Sequence, residues 1–142
     1  MKTFKKAFSL LVFAAVSIAI WEAVQSFSYE QMNVSGLSSC KRVYVANQTK
    51  LNEALPALIA LAGTNDSPQA VDNNLHAYVH GSSAENCAVV IPVRNVGDFY
   101  QNTYDFGLVW TTDVSRLAGK NPSIILVALA DGWWAYASVR PQ

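Results

Sequence analysis

Hydrophobic positions along this chain fall into three regimes. Residues 7–21 carry no charge and follow three lysines, Lys2, Lys5 and Lys6. Residues 49–63 place Leu51, Leu55, Leu58 and Ala62 at steps of four, three and four, which is one face of a helix. From residue 75 onward the period falls to two. Leu75, Ala77 and Val79 alternate with His76, Tyr78 and His80, as on a strand with one buried face.

Each regime predicts elements. Thr49 can cap the helix over 49–63, and Gly63 can take the left-handed conformation that ends it. Pro56 inside the pattern should kink the helix or start it late. Residues 27–39 are small and polar and read as a lead-in. Residues 41–46 (KRVYVA) read as a short β-branched strand, and residues 64–74 as a loop rich in turn formers. Strands are expected over 75–80 and 87–93, with Pro92 marking an edge or a bulge. Residues 95–107 are ambiguous. Residues 108–112 suggest a short strand, and 113–118 one capped helical turn. The Asp131-Gly132 pair between apolar runs 123–129 and 133–139 is a strong hairpin signal. One main N-terminal helix followed by hairpins gives a single small α+β domain with an antiparallel sheet, preceded by an apolar signal or anchor helix.

The leader addresses the chain to a membrane. A basic start, an apolar core and a small-residue site at Val24-Gln25-Ser26 form a secretory signal that would leave Phe27 first in the mature chain. The apolar run is short of the roughly 20 residues of a spanning helix, and Glu22 interrupts its far end. A charge near the interface costs little, so a retained anchor contacting the membrane through residues 7–24 is the second reading. The domains expected are therefore 1–26, signal peptide or anchor, and 27–142, exported domain. The protein would be periplasmic or secreted, or else tethered to the membrane.

Composition narrows the partner. Beyond residue 26 there are seven basic and nine acidic side chains, a net charge of −2, and no basic patch, so nucleic-acid binding has no electrostatic support. The two cysteines, Cys40 and Cys87, would form a disulfide in an exported chain. Such a bridge would stabilise the fold by roughly 4 kcal/mol.

Reactive chemistry is sparse. His76 and His80 are the only histidines. On a strand they stand about 13 Å apart, too far to share one zinc ion. His80-Gly81-Ser82-Ser83 offers a nucleophile and a base as neighbours in a turn, which is the basis of a small-hydrolase alternative. No phosphate-binding glycine loop is present, and nothing calls for a cofactor. Asn33, Asn47 and Asn65 begin Asn-X-Ser/Thr sequences. The aromatics are the best candidate for a surface. If Trp133, Ala135 and Ala137 face the core, Trp134 and Tyr136 face away, and Tyr100 and Trp110 could extend the patch toward a protein partner.

Two local resemblances accompany these readings. Lys5-Lys6-Ala7-Phe8-Ser9-Leu10-Leu11 resembles the processing site of type IV prepilins, with Ala7 and Val12 standing where that family has Gly and Glu. It implies a membrane-anchored structural subunit, although Asn33-Val34-Ser35-Gly36 should stop a long pilin helix early. Residues 121–139 resemble a strand–turn–strand segment of the TPM domain, with Pro122 in place of a glycine, which implies an exported α+β domain. The first expectation is a small exported, disulfide-stabilised binding protein such as an inhibitor, immunity protein or envelope-complex subunit, and not an enzyme.

Overall fold

The computed structural model describes residues 2–64, 67–97, 102–120 and 123–141. The chain forms two units, Met1–Val34 and Ser35–Gln142. One helix, α1 (Lys2–Ala60), contributes to both. In the first unit every residue from 11 to 27 is exposed. The apolar side chains there include Leu11, 70% exposed, and Phe27, 64% exposed.

The second unit pairs the rest of α1 with a six-stranded antiparallel sheet. Its strands are β1 (Gln69–Ala70), β2 (His76–Ser83), β3 (Asn86–Gly97), β4 (Asn102–Thr111), β5 (Ile124–Ala128) and β6 (Trp133–Pro141). The spatial order is β1-β2-β3-β4-β6-β5. The first four strands follow one another as neighbours. After β4 the short helix α2 (Val114–Lys120) leads to the edge strand β5, and β6 returns between β5 and β4. The α+β class and the antiparallel sheet are as the sequence predicts.

Alternation decides the core. Leu75, Ala77 and Val79, then Cys87, Val89 and Ile91, then Tyr104, Phe106 and Leu108, then Trp133, Ala135 and Ala137 are all buried. The registers Val89↔Trp110↔Trp133 and Ile91↔Leu108↔Ala135 put them on one face. Gly36, Cys40, Tyr44, Leu51 and Leu58 form the buried stripe of α1. Their steps of four and seven are helical spacing.

Two local expectations are corrected here. Residues 27–39 are helix, not a lead-in, and residues 41–46 are helix, not a strand. Glycine, serine and β-branched residues are weak helix formers. The burial of Gly36, Cys40 and Tyr44 outweighs that preference. Pro56 does not delay the helix, since α1 runs through it to Ala60. Beyond Ala60, Leu61, Ala62 and Thr64 donate to carbonyls three residues back, and Gly63 takes φ +80°.

Thr49 lies inside α1 and caps nothing, and the strand expected over 108–112 is the end of the longer β4. Three other local signals read as expected. Pro92 coincides with a register shift between Pro92 and Arg94. Asp113 accepts from the Ser115 amide at the start of α2. In the β5–β6 hairpin Asp131 and Gly132 take φ of 54° and 79°, and the Trp133 amide donates to the Ala130 carbonyl at 2.9 Å. Two positive φ values in a row are the mark of a type I′ turn.

Candidate functional site: a groove on the second face of the sheet

The alternation that buries Trp133 turns Trp134, Tyr136 and Ser138 to the opposite face of the sheet. On that face a groove of about 580 Å³ opens over β3, β4 and β6. Val90, Val109 and Tyr136 line it, with Leu117 of α2 and Ile124 of β5. Its size lies within the usual range of about 300–1,000 Å³ for small-molecule sites.

Gly107 shapes its centre. It pairs with Tyr136 across the β4–β6 ladder. A β-carbon on Gly107 would stand 2.7 Å from the Tyr136 hydroxyl and ring edge. The tyrosine ring therefore lies across the glycine, an aromatic covering a bare stretch of strand. Burial, with a smaller contribution from the Asp105 charge, pushes the Tyr136 phenol up to about 12. The hydroxyl is thus a neutral hydrogen-bonding group at ordinary pH.

The far end of the groove is polar. Asn95, Asp105 and Ser138 stand side by side in one row of the ladders. Asp105 accepts from the Asn95 amide and forms an ion pair with Arg140 at 2.7 Å. That contact, chiefly its hydrogen bond, raises the Arg140 pKa. Arg94, at the rim, pairs with Phe106 of the α1 face and not with the groove row. Among the described residues it makes no hydrogen bond or ion pair.

The structure distributes the residues expected to bind as follows. Trp134 and Tyr136 share the groove face, both half-buried. Trp110 is directed to the other face, in register with Trp133, and its indole stands 2.8 Å from where a Gly132 β-carbon would lie. Tyr100 lies outside the described residues. Trp134 and Tyr136 therefore share a face that Trp110 does not.

The expected staple between Cys40 and Cys87 is corrected as well. Both are free, buried thiols. Along α1, Gly36 meets Phe106 and Tyr44 meets Trp133. Cys40 therefore sits midway, at the level of the Ile91–Leu108–Ala135 row. Cys87 is four residues from Ile91 along β3, about 13 Å at the strand rise. A disulfide requires Cα atoms about 4.4–6.8 Å apart. Burial pushes the Cys40 thiol up to about 11 and raises that of Cys87, so neither is primed as a nucleophile.

The histidines carry no assembled chemistry. His76 and His80 lie on the exposed face of β2. No group of three metal-ligating side chains occurs among the described residues. A smaller polar pocket does join His80, Cys87 and Asp113. However, His80 points to the groove face of the sheet and Cys87 to the α1 face, so the pair cannot act as base and nucleophile. Asn33 is buried and Asn47 donates to the Val43 carbonyl, both within helix.

The groove's polar end was not visible in the sequence. Asn95 and Asp105 fall in the segment whose pattern is ambiguous, and the bulge after Pro92 shifts the phase of Asn95. The one sequence signal was Gly107, a glycine inside a strand that marks a close approach.

Comparisons with protein-family models, with curated proteins and with solved structures find no match.

Proposed function

We propose that the protein is a membrane-anchored structural subunit of pilin-like build. The observation that carries this reading is the double use of α1. Its early part is apolar and exposed throughout residues 11–27. Its later part supplies Gly36, Cys40, Tyr44, Leu51 and Leu58 to the core against the sheet. The helix is long and apolar enough to cross a membrane by length and composition. Residues 7–24 would span roughly 27 Å at the helical rise, close to the hydrocarbon thickness of a bilayer.

Helical continuity past the small-residue site supports a retained segment. The helix runs through Val24-Gln25-Ser26 without a break, and Phe27 beyond it is as exposed as the residues before it. A secreted chain starting at Phe27 would open on an uncovered aromatic. In a tethered chain the exposed apolar surface has a solvent, either lipid or the same helix of neighbouring copies.

The test is the mature N-terminus together with fractionation. Intact Met1, or a start at Phe8, with the protein resisting carbonate extraction from membranes, is the expected result. A soluble product starting at Phe27 would return the protein to the class of secreted binding domains.

A further inference from the structure

The two edges of the sheet differ in kind. β1 has only 2 residues, Gln69 and Ala70, and Pro68 precedes it. A short strand beside a proline offers little to pair with. β5 is the other edge. Its residues are Ile124, Ile125, Leu126, Val127 and Ala128, with no charge, no proline and no shift of register against β6. The Leu129 amide donates to the Trp133 carbonyl at 2.9 Å, so Leu129 bonds toward β6. Bonding direction alternates along an antiparallel strand. Val127 and Ile125 therefore also bond toward β6, and the backbone N–H and C=O groups of Ile124, Leu126 and Ala128 point off the sheet. Those groups have no partner among the described residues. Side chains at this edge are uncovered too, for Val127 is 44% exposed and Ala128 is exposed.

We propose that β5 is a pairing edge for a second copy of this chain, joining two six-stranded sheets into one. The strand is its own antiparallel complement. With a two-fold axis at Leu126, that residue stands opposite Leu126 of the second copy, Ile124 opposite Ala128, and Ile125 opposite Val127. This register sets the outward-bonding positions against one another, and each such pair exchanges two hydrogen bonds. A slip by one residue would oppose them to Ile125 and Val127, whose backbone groups are already bonded to β6. The side chains agree with the same register. The exposed Val127 meets Ile125, and every opposed pair is apolar on both sides. A charged edge would repel its own copy, whereas this uncharged one meets itself without that cost. A surface that matches itself closes as a dimer. The inference does not rest on the membrane anchor, because β5 lies in the unit Ser35–Gln142.

The experiment is copper-phenanthroline oxidation of the full-length protein in mild detergent, with one cysteine added along β5 and the product read on non-reducing gels. Cys40 and Cys87 are buried, so the unsubstituted protein gives the background. Leu126→Cys should yield a covalent dimer, since Cα atoms of a hydrogen-bonded pair stand about 5.5 Å apart, within disulfide reach. Ala128→Cys by itself should stay at background, because its two copies would lie four residues apart along the strands, about 13 Å. Ile124→Cys by itself should do the same, and mixing these two variants should restore the dimer. Ala128→Pro removes an N–H that points off the sheet and none that bonds β6. Added to Leu126→Cys, it should abolish the dimer and leave the circular dichroism spectrum unchanged. The Ile124→Cys and Ala128→Cys mixture reads the same register should Leu126→Cys misfold. Background levels from both Leu126→Cys and the mixture would overturn the proposal. Equal cross-linking of every variant by itself would do so too, as would a dimer that survives Ala128→Pro. The N-terminus of the mature chain can come out either way without affecting these outcomes.

Discussion

The ring of Phe106 occupies the space that a β-carbon on Gly36 would need. This contact brings α1 onto the sheet at the β4–β6 pair, and it explains a glycine in mid-helix. Gly36→Ala gains about 1 kcal/mol in helix propensity, but it forces the ring aside at an overpacking cost of about 1–3 kcal/mol. The expected net result is destabilisation, read as a lower denaturant midpoint. Adding Phe106→Leu to Gly36→Ala should cost less than the sum of the single changes. Strict additivity would show that the contact does not set the helix position.

A second anchor holds α1 to the β5–β6 turn. Asn52 accepts from the Trp133 indole at 3.1 Å and donates to Asp131 at 2.8 Å. Gln48 also donates to Asp131, and the Tyr44 hydroxyl donates to the Ala130 carbonyl. Trp133 is 1% exposed, so Asn52→Leu leaves its N–H without a partner at a cost of about 1–3 kcal/mol. Thermal unfolding followed by tryptophan fluorescence should show the drop. Gln48→Ala, which loses one of several bonds to an exposed carboxylate, should change the midpoint little.

Stability should fall at both ends of the pH scale, for opposite reasons. Side-chain hydrogen bonds from Gln48 and Asn52 hold Asp131 below the usual carboxylate range, and local bonds do the same for Asp72 and Asp113. A depressed folded pKa gives stability that is full above the unfolded value of 3.8 and is lost as pH falls through the lower folded value. Asp131→Asn should flatten part of that acid loss in urea titrations between pH 5 and pH 2. An unchanged acid slope would remove Asp131 from the account.

At alkaline pH the sign reverses. Burial raises the Cys40 thiol from 9.0 to about 11 and the Tyr136 phenol from 10.0 to about 12. The folded chain then keeps protons that the unfolded chain sheds, so stability declines as pH rises past 9. Cys40→Ala should reduce the decline between pH 9 and pH 11 relative to its own midpoint at pH 7.

The two thiols give a direct chemical readout. Iodoacetamide should leave Cys40 and Cys87 unmodified in the native protein and alkylate both in denaturant, by mass spectrometry. A Cys40–Cys87 linked peptide from native protein would contradict the separation of the two rows in which these residues lie.

Local signals were read correctly where one segment supplies all the physics. Asp131-Gly132 fixes its turn because aspartate and glycine tolerate positive φ, and the strict alternation of 133–139 sends Trp133 inward and Trp134 outward whatever lies nearby. The helix through 27–46 was not legible. Its residues favour turns or strands when considered alone, and they become a helix because Gly36 and Tyr44 find Phe106 and Trp133 from strands far along the chain. The cysteines misled for a related reason. An even count suggests a bridge, but pairing depends on which row of the sheet each thiol reaches.

The sequence by itself determined the apolar leader, the hairpin, the strand phase and the neutral charge balance, all properties of contiguous residues. Tertiary structure alone decided that one helix serves both the exposed apolar segment and the core. It also brought Asn95 and Asp105 to the end of an apolar groove. Both outcomes depend on register across strands, and register is set by packing between distant segments rather than by any local preference.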